Sequence, residues 1–253
     1  MTREERVAVD AYRVLYPDPI AVAGAVVLRM PAAPSSPMVN RIIGLGVGAP
    51  ATETALDEAI AAMGEGLTYY VAVAPDAEPP ALTAWLRARG FEPGWGWMAF
   101  RRGVEDLPAP ETSLRLVEVG PAEAEAFGRV VTTGYGLPAK AAVWTSRAHE
   151  LGWTCWLALD GDEPAAAGAL FVSEGAGYLG FAATLPEHRR KGAQNALLAV
   201  RIRRARELGC DVVVTETGEL RDDLPGNSYR NILRAGFVEV AVTANWLRQG
   251  HGH

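Results

Sequence analysis

One run of this chain constrains its fold more than any other: YLGFAATLPEHRRKGAQNALLAVRIRRARELGC, residues 178–210. It opens as a strand ending near Thr184, turns at Pro186 and Glu187, and continues into a long helix predicted over 189–208. Leu197, Leu198, Ile202, Ala205 and Leu208 recur at helical spacing on one face. A further strand, predicted over 211–217, follows at once. One long helix bridging two strands, in a chain whose other strands have few helices between them, points to a mixed α+β sheet rather than a doubly wound one.

The remaining sequence repeats a coarse layout. In the first half the pattern predicts a helix over 2–15, strands over 20–29 and 38–46, and a helix over 52–63 begun by Thr52. A strand over 69–74, a helix over 79–89 ended by Gly90, and a strand over 91–101 complete it. In the second half it predicts a strand over 114–119, helices over 121–133 and 139–151, and strands over 154–160, 165–174 and 177–184. The long helix, the strand over 211–217, a helix over 227–235 and a strand over 237–245 follow. Both halves pass from a helix to a last strand through a glycine-phenylalanine step, ARGFEPGW and RAGFVEVA, a hint of internal duplication. Between them GVEDLPAPETS has prolines, acids and no apolar period, and reads as a linker. The expected domains are therefore 1–105 and 112–253, each a mixed, mostly antiparallel sheet flanked by helices.

Composition excludes several classes. With 49% hydrophobic residues the chain is too apolar for disorder, and a formal net charge of −6 disfavours whole-chain binding to nucleic acid or acidic membranes. Two cysteines, Cys155 and Cys210, rule out a disulfide framework or a cysteine-rich metal site. The opening MTREERVAVD is no secretory signal, and the apolar stretch 20–28 is far shorter than the ~20 residues of a membrane helix. The closing His251-Gly252-His253 is too short for a metal tract. These features predict a cytoplasmic protein with no nucleic-acid or membrane partner and no metal.

The chemistry concentrates at the start of the long helix. A helix N-terminus carries unpaired N–H groups and a positive dipole end, and Gly192 lets an anion approach the backbone closely. Arg189, Arg190 and Lys191 add positive charge there, which destabilises a helix start unless an anion compensates it; a diphosphate is the natural candidate. A basic start on a solvated face is the alternative that charge and glycine alone leave open.

This strand–turn–helix resembles the acyl-CoA-binding motif of the GNAT superfamily of N-acetyltransferases, whose pattern is Arg/Gln-x-x-Gly-x-Gly/Ala. Arg189, Gly192 and the flanking PEH and NALL match; Gln194 departs, standing where the family has a small residue. The order of elements also fits, and the resemblance covers roughly 112–248. It implies acetyl-CoA as acyl donor, held between two splayed parallel strands, 177–184 and 211–217, with backbone contacts at Ala182, Ala183 and Thr184. The diphosphate would lie on Arg189, Arg190, Lys191, Gly192, Ala193 and Gln194. Gly180 suits a bulge that splays the strands. Asn227 and Asn231 are further candidate cofactor contacts in the stretch Pro225-Gly226-Asn227-Ser228-Tyr229-Arg230-Asn231-Ile232, Asn227 being also a candidate N-cap. Many members place a general-acid tyrosine where this chain has Ile232; Tyr229, one helical turn earlier, is the candidate substitute. The first half lacks the phosphate turn and reads as a degenerate GNAT-like domain that supports the other, with a role in lining the acceptor site.

Amine acetylation needs a neutral nucleophile, and an amine of pKa ~10.4 is neutral in about one molecule in a thousand at pH 7, at a cost of around 4 kcal/mol. Glu216, at the C-terminal end of a strand beside the expected cleft, is the candidate base. The expected reaction moves an acetyl group to a primary amine, on a small molecule or a peptide, by direct attack in a ternary complex. A non-catalytic acyl-CoA-binding module and a scaffold without cofactor are the alternatives; monomer and homodimer both remain open. Trp144 and the loop Tyr135-Gly136-Leu137-Pro138 are candidate walls of the acceptor pocket. Gly44-Leu45-Gly46-Val47-Gly48 lacks the G-x-G-x-x-G spacing and reads as turn glycines. Arg201, Arg203, Arg204 and Arg206 read as a solvated face, and Cys155, His149 and His188 as packing or surface residues.

Overall fold

The computed structural model describes residues 2–108, 111–222 and 226–250. Pro225 and the closing histidines lie outside the described residues, as do Ala109 and Pro110 of the linker.

Helix α1 (Arg3–Leu15) begins with a reciprocal cap: the Thr2 hydroxyl accepts the Glu5 N–H at 3.2 Å, and the Glu5 carboxylate accepts the Thr2 N–H at 2.7 Å. Its buried stripe is Val7, Ala11 and Leu15. The strands of the first half are β1 (Ile20–Val22), β2 (Ala25–Leu28), β3 (Arg41–Ile43), β4 (Tyr69–Val73), β5 (Glu92–Pro93) and β6 (Trp97–Gly103), with helices α2 (Glu53–Met63) and α3 (Leu82–Ala88). The second half has β7 (Arg115–Glu118), α4 (Ala124–Gly134), α5 (Ala142–Thr145), β8 (Trp153–Asp160), β9 (Glu163–Ser173) and β10 (Ala176–Thr184). It continues with α6 (Ala193–Glu207), β11 (Val212–Gly218), α7 (Asn227–Arg234) and β12 (Val238–Arg248).

The two halves repeat an architecture. In each, antiparallel strands lead to one parallel pair, β3 with β4 and β10 with β11, and the connecting helix is α2 in the first case and α6 in the second. The other described pairings are antiparallel. The sheets do not stop at the linker. The strand order is β1-β2-β3-β4-β12-β6-β11-β10-β9-β8-β7, with β5 beside β12. The last strand of each half is thus inserted next to the parallel pair of the other: β12 against β4, and β6 against β11. Phe100 of β6 is fully buried in the core over α6 and α7, and Trp246 of β12 in the core of the first half.

Helix α1 belongs to the first half in sequence but packs against β9, β10 and β11 of the second. Arg3 pairs with Asp211, Arg6 with Glu174, and Ser173 donates to Asp10 at 3.1 Å. Exposed pairs of this kind contribute at most ~1 kcal/mol each. The apolar stripe, which enters the same core as Phe127, Trp153 and Tyr178, does the holding.

Several predicted elements are corrected. The stretch 20–29 is a hairpin, not one strand: Ala23 and Gly24 both adopt positive φ (44° and 87°), the requirement of a two-residue turn. The strand predicted over 91–101 is broken between Pro93 and Trp97. A Cβ at Gly94 would meet the Tyr70 ring at 2.8 Å and one at Gly96 would meet Val242 at 2.7 Å, so the chain passes there only as glycine. The helix predicted over 139–151 is α5 between two 3-10 turns, with the Thr145 hydroxyl bonding carbonyls of its own turn and of Gly128 in α4. The long helix starts at Ala193, not at 189: Arg190 and Gly192 have φ of 66° and 78°, outside any helix. Gly226, not Asn227, caps α7. Among the described residues no helix is long and apolar enough to cross a membrane, and no cluster of three or more His, Cys, Asp or Glu could hold a metal ion.

Candidate active site

The parallel strands β10 and β11 are paired only from Ala176–Val212 to Tyr178–Val214, and part beyond. The parting has local causes. The register of β10 on β9 slips between Gly180, opposite Ala169, and Ala183, opposite Ala167. Phe181 in this bulge has φ 54°, a conformation costing a non-glycine residue ~1–2 kcal/mol. Its buried ring packs on Phe127, Trp144 and Trp153. At Gly180 a Cβ would meet the Trp153 ring at 2.8 Å.

Carbonyls freed by the parting are satisfied from the sides. The Thr215 hydroxyl donates to the Leu179 carbonyl at 2.8 Å. Arg201, 1% exposed, donates from α6 to the carbonyls of Gly180 (3.1 Å), Ala169 (3.4 Å) and Leu197 (2.8 Å). Burial lowers its pKa to about 10. The expectation of a solvated arginine face fails here: Arg201 lies on the sheet side of α6, whereas Arg203 and Arg206 are exposed.

At the start of α6 the first intrahelical bond runs from the Ala196 N–H to the Gly192 carbonyl at 3.1 Å, and no side chain caps the helix. The amides of Ala193, Gln194 and Asn195 therefore remain for an outside acceptor. Gly192 is demanded twice, by its φ of 78° and by the Glu111 carbonyl, which a Cβ would meet at 2.5 Å. Arg189 and Arg190 are exposed, with no ion pair among the described residues. The Lys191 ammonium instead pairs with Asp160, which also accepts from His188 Nδ1 at 2.9 Å. Lys191 and His188 together hold the Asp160 carboxyl below its ordinary pKa. The Gln194 carbonyl oxygen accepts from the Asn231 amide, leaving its own amide nitrogen free to donate.

The gap between the strands opens into a cavity of about 250 Å³ shared by both halves. Ala182, Gln194, Glu216, Thr217, Ser228 and Ile232 line it, as do Tyr135, Leu137 and Trp144. The first half contributes Tyr12, Leu15, Tyr16, Trp95 and Trp97, together with Met38 and Val39. Trp144 fastens α1 to this wall by donating its indole N–H to the Leu15 carbonyl at 2.6 Å.

Inside the cavity three oxygens meet. The Tyr12 and Tyr178 hydroxyls are 2.8 Å apart, and Glu216 Oε2 lies 3.2 Å from the first and 3.3 Å from the second. With Glu216 ionised these three contacts share two protons; a proton taken by Glu216 supplies the third. Burial first, then Glu216, pushes the Tyr12 hydroxyl up to about 12 and Tyr178 well above its ordinary value, so both phenols stay protonated. Behind them the buried Arg41 guanidinium lies 5.1 Å from the Tyr12 ring centroid and 5.4 Å from that of Trp97. Its Nη1 has no hydrogen-bond partner among the described residues. Burial works against the Arg41 charge, but Tyr12 and Glu216 outweigh it and its pKa is raised.

The predicted residues divide accordingly. Ala182, Gln194 and Glu216 meet at the cavity, and Ala193 shares the adjacent helix start. Ala183 is buried against Gly134, and Thr184 is half-buried at the strand end. Tyr229 is turned away: it packs edge-on against Phe100 and donates its hydroxyl to Glu239. Burial and Glu239 raise it to about 12. Asn227 is exposed in the first turn of α7 and does not line the cavity; Ser228 does. Cys155 is buried packing, its thiol pushed up by burial. Sequence reasoning missed Tyr12, Arg41 and Tyr178. A larger cleft of about 530 Å³ near Arg3, Arg101 and Asp211 holds none of the predicted residues, and its charged walls pair with one another.

A parallel pair splayed by a bulge, a glycine turn into an uncapped helix, and a second parallel pair with its connecting helix joined to the first by exchanged last strands define the tandem GNAT fold. Residues 130–223 match the model of the Acetyltransferase (GNAT) family. Among solved structures it is similar to a GCN5-related N-acetyltransferase from Kribbella flavida (TM-score 0.63, 19% identity, 100% of this chain and 98% of that one). A tandem GNAT protein from the clavulanic acid biosynthesis pathway is similar too (TM-score 0.61, 18% identity, 98% and 88%). So is a GCN5-related N-acetyltransferase from Sphaerobacter thermophilus (TM-score 0.63, 14% identity, 89% and 76%). No curated protein matches the sequence significantly. This fold supports acetyl transfer, and the family match falls wholly in the second half.

Proposed function

We propose that the chain moves an acetyl group from acetyl-CoA to a primary amine by direct attack in a ternary complex, with residues 112–253 binding the donor and residues 1–105 completing the acceptor side. The observation that carries this reading is Glu216, a carboxylate at the open end of the splay whose Oε2 lies 3.2 Å from the Tyr12 hydroxyl and 3.3 Å from that of Tyr178. The residues fit the donor. Uncapped amides at Ala193–Asn195 with Arg189 and Arg190 beside them suit a diphosphate, and the edge of β10 beyond Gly180, no longer paired with β11, suits an extended amide-bearing arm.

The donor supplies an activated thioester. The backbone around Ala182, Ala183 and Thr184 orients its carbonyl and offers N–H groups where negative charge grows. Glu216 takes the proton released as the amine nitrogen forms its bond to the acetyl carbon, and Tyr12 and Tyr178 spread the change over the three oxygens. No acid reaches the leaving sulfur from position 232, where Ile232 faces the cavity, nor from Tyr229. The chemistry does not require one: a thiol of pKa ~8.5 leaves more readily than an amine of pKa ~10.4 is expelled, so solvent can protonate the thiolate.

Ile232 favours the second reading, a non-catalytic acyl-CoA-binding module. The two separate in one experiment. Acetyl-CoA should raise the melting temperature under both, but only the first gives amine-dependent release of free CoA thiol. No thermal shift at millimolar acetyl-CoA removes both.

A further inference from the structure

The walls of the cavity say what kind of amine fits, if the acetyltransferase reading holds. Aromatic rings are a large part of them, including Tyr12, Tyr16, Trp97, Trp144, Trp153 and Tyr178. Among the lining residues Glu216 is the one carboxylate and Arg201 the one cation, and the Arg201 donors are committed to three carbonyls. Arg41, the other buried cation nearby, stands behind the Tyr12 and Trp97 rings and is not part of the wall. The Tyr12 and Tyr178 hydroxyls are occupied by each other and by Glu216.

An ammonium entering this space meets attraction from Glu216 Oε1, which neither tyrosine engages, and from ring faces. Other polar groups meet few partners. A carboxylate on the ligand would lose its water and face Glu216, and the donors left to it, the Trp153 indole N–H and the Gln194 amide at the start of α6, are neutral. A polyhydroxylated or polycationic body would leave most of its hydrogen-bonding groups unmatched against aromatic carbon. Size narrows the choice. The volume of about 250 Å³ is below the ~300–1,000 Å³ of a drug-sized site, and part of it lies between the splayed strands, on the donor side.

We propose that the acceptor is a small primary amine on an uncharged, apolar body, of the arylalkylamine kind, and that its specificity is set by aromatic side chains of the first half. An α-amino acid, an aminoglycoside or a polyamine does not fit.

The test uses the full chain and three probes: phenethylamine, phenylalanine, which differs by one α-carboxylate, and spermidine. Binding is read from intrinsic tryptophan fluorescence with and without CoA, since Trp97, Trp144 and Trp153 line the site. Turnover is read from thiol release. Phenethylamine should quench the fluorescence and show a kcat/KM at least tenfold above the other two. Trp97→Ala should raise the KM for phenethylamine at least fivefold while leaving the acetyl-CoA thermal shift unchanged. Equal or better binding of phenylalanine or spermidine overturns the inference, as does failure of all three to bind. Acetyl-CoA binding is measured separately, so a failed acceptor class and a failed donor reading give different results. If acetyl-CoA shifts the melting temperature and phenethylamine does not bind, the acceptor inference alone is lost.

Discussion

Glu216→Gln isolates the proton-transfer role, because the amide preserves nearly everything else. Its carbonyl oxygen can accept from Tyr12 and Tyr178 as Oε2 does at 3.2 and 3.3 Å, so the hydrogen bonds are kept; stability should fall somewhat because the buried Arg41 guanidinium loses a favourable charge, and acetyl-CoA affinity should not change. What is lost is the group that receives the proton. Without it the reaction draws on amine already neutral in solution, which for pKa ~10.4 at pH 7 is a handicap of about 4–5 kcal/mol at its limit. General bases typically contribute ~10²–10⁴-fold, and a loss near the middle of that range, roughly a thousandfold in kcat/KM, is expected at pH 7. The pH profile is the sharper readout. The free-amine fraction rises tenfold per pH unit below its pKa, so the deficit should shrink by about a hundredfold between pH 7 and pH 9. Thiol release with phenethylamine at fixed saturating acetyl-CoA measures this. A deficit equal at every pH, or none, would refute the reasoning.

Arg189→Ala should weaken CoA about tenfold, the equivalent of a lost charge-assisted bond of ~1.5 kcal/mol; calorimetric titration with CoA shows whether the phosphate is held elsewhere. Gly192→Ala should lower urea stability by at least ~1–2 kcal/mol from the left-handed backbone alone, and more because its Cβ meets the Glu111 carbonyl at 2.5 Å. Asp160 has its folded pKa depressed by Lys191 and His188. The stability it contributes is present above the unfolded value of ~3.9 and is lost as pH falls through the folded one. Asp160→Asn should therefore lower the melting temperature at pH 7, with the difference from the parent closing as pH falls below 4. Arg201→Met should lower stability, because the Gly180 and Ala169 carbonyls it satisfies lose their donor at ~1–3 kcal/mol for each left unsatisfied, and acetyl-CoA affinity should fall because the bulge at Gly180 loses its support.

The splayed strands and the helix between them were legible in sequence because they form one contiguous stretch: strand, glycine turn, helix and strand follow one another from 176 to 218. Even there the helix start was misplaced by four residues, since periodicity does not reveal that Arg190 and Gly192 take positive φ. The hairpin at Ala23-Gly24 was missed for a related reason: alanine is a poor advertisement for a left-handed turn. The cluster of Tyr12, Tyr178 and Glu216 was illegible because it is non-local. Tyr12 and Tyr178 lie 166 residues apart, and Tyr12 and Glu216 lie 204 apart. A tyrosine in an amphipathic helix reads as packing until the helix is known to lie on the other half's sheet. Arg201 likewise reads as one charge among four, until α6 is placed against the bulge.

The exchanged strands explain how a half without a phosphate turn can be indispensable to the one that has it. β6 lies beside β11 over seven residue pairs, from Gly103–Val212 to Trp97–Gly218, so Glu216 stands opposite Ala99 of the first half. The position of the candidate base is therefore fixed by backbone pairing on one flank to β6 and by phenol contacts through α1 to Tyr12. Cutting the chain at the linker would expose the β11 edge, remove a cavity wall and uncover Phe100's place in the core over α6 and α7. The two halves are repeats in sequence order, but the cavity is one object, lined by side chains of both.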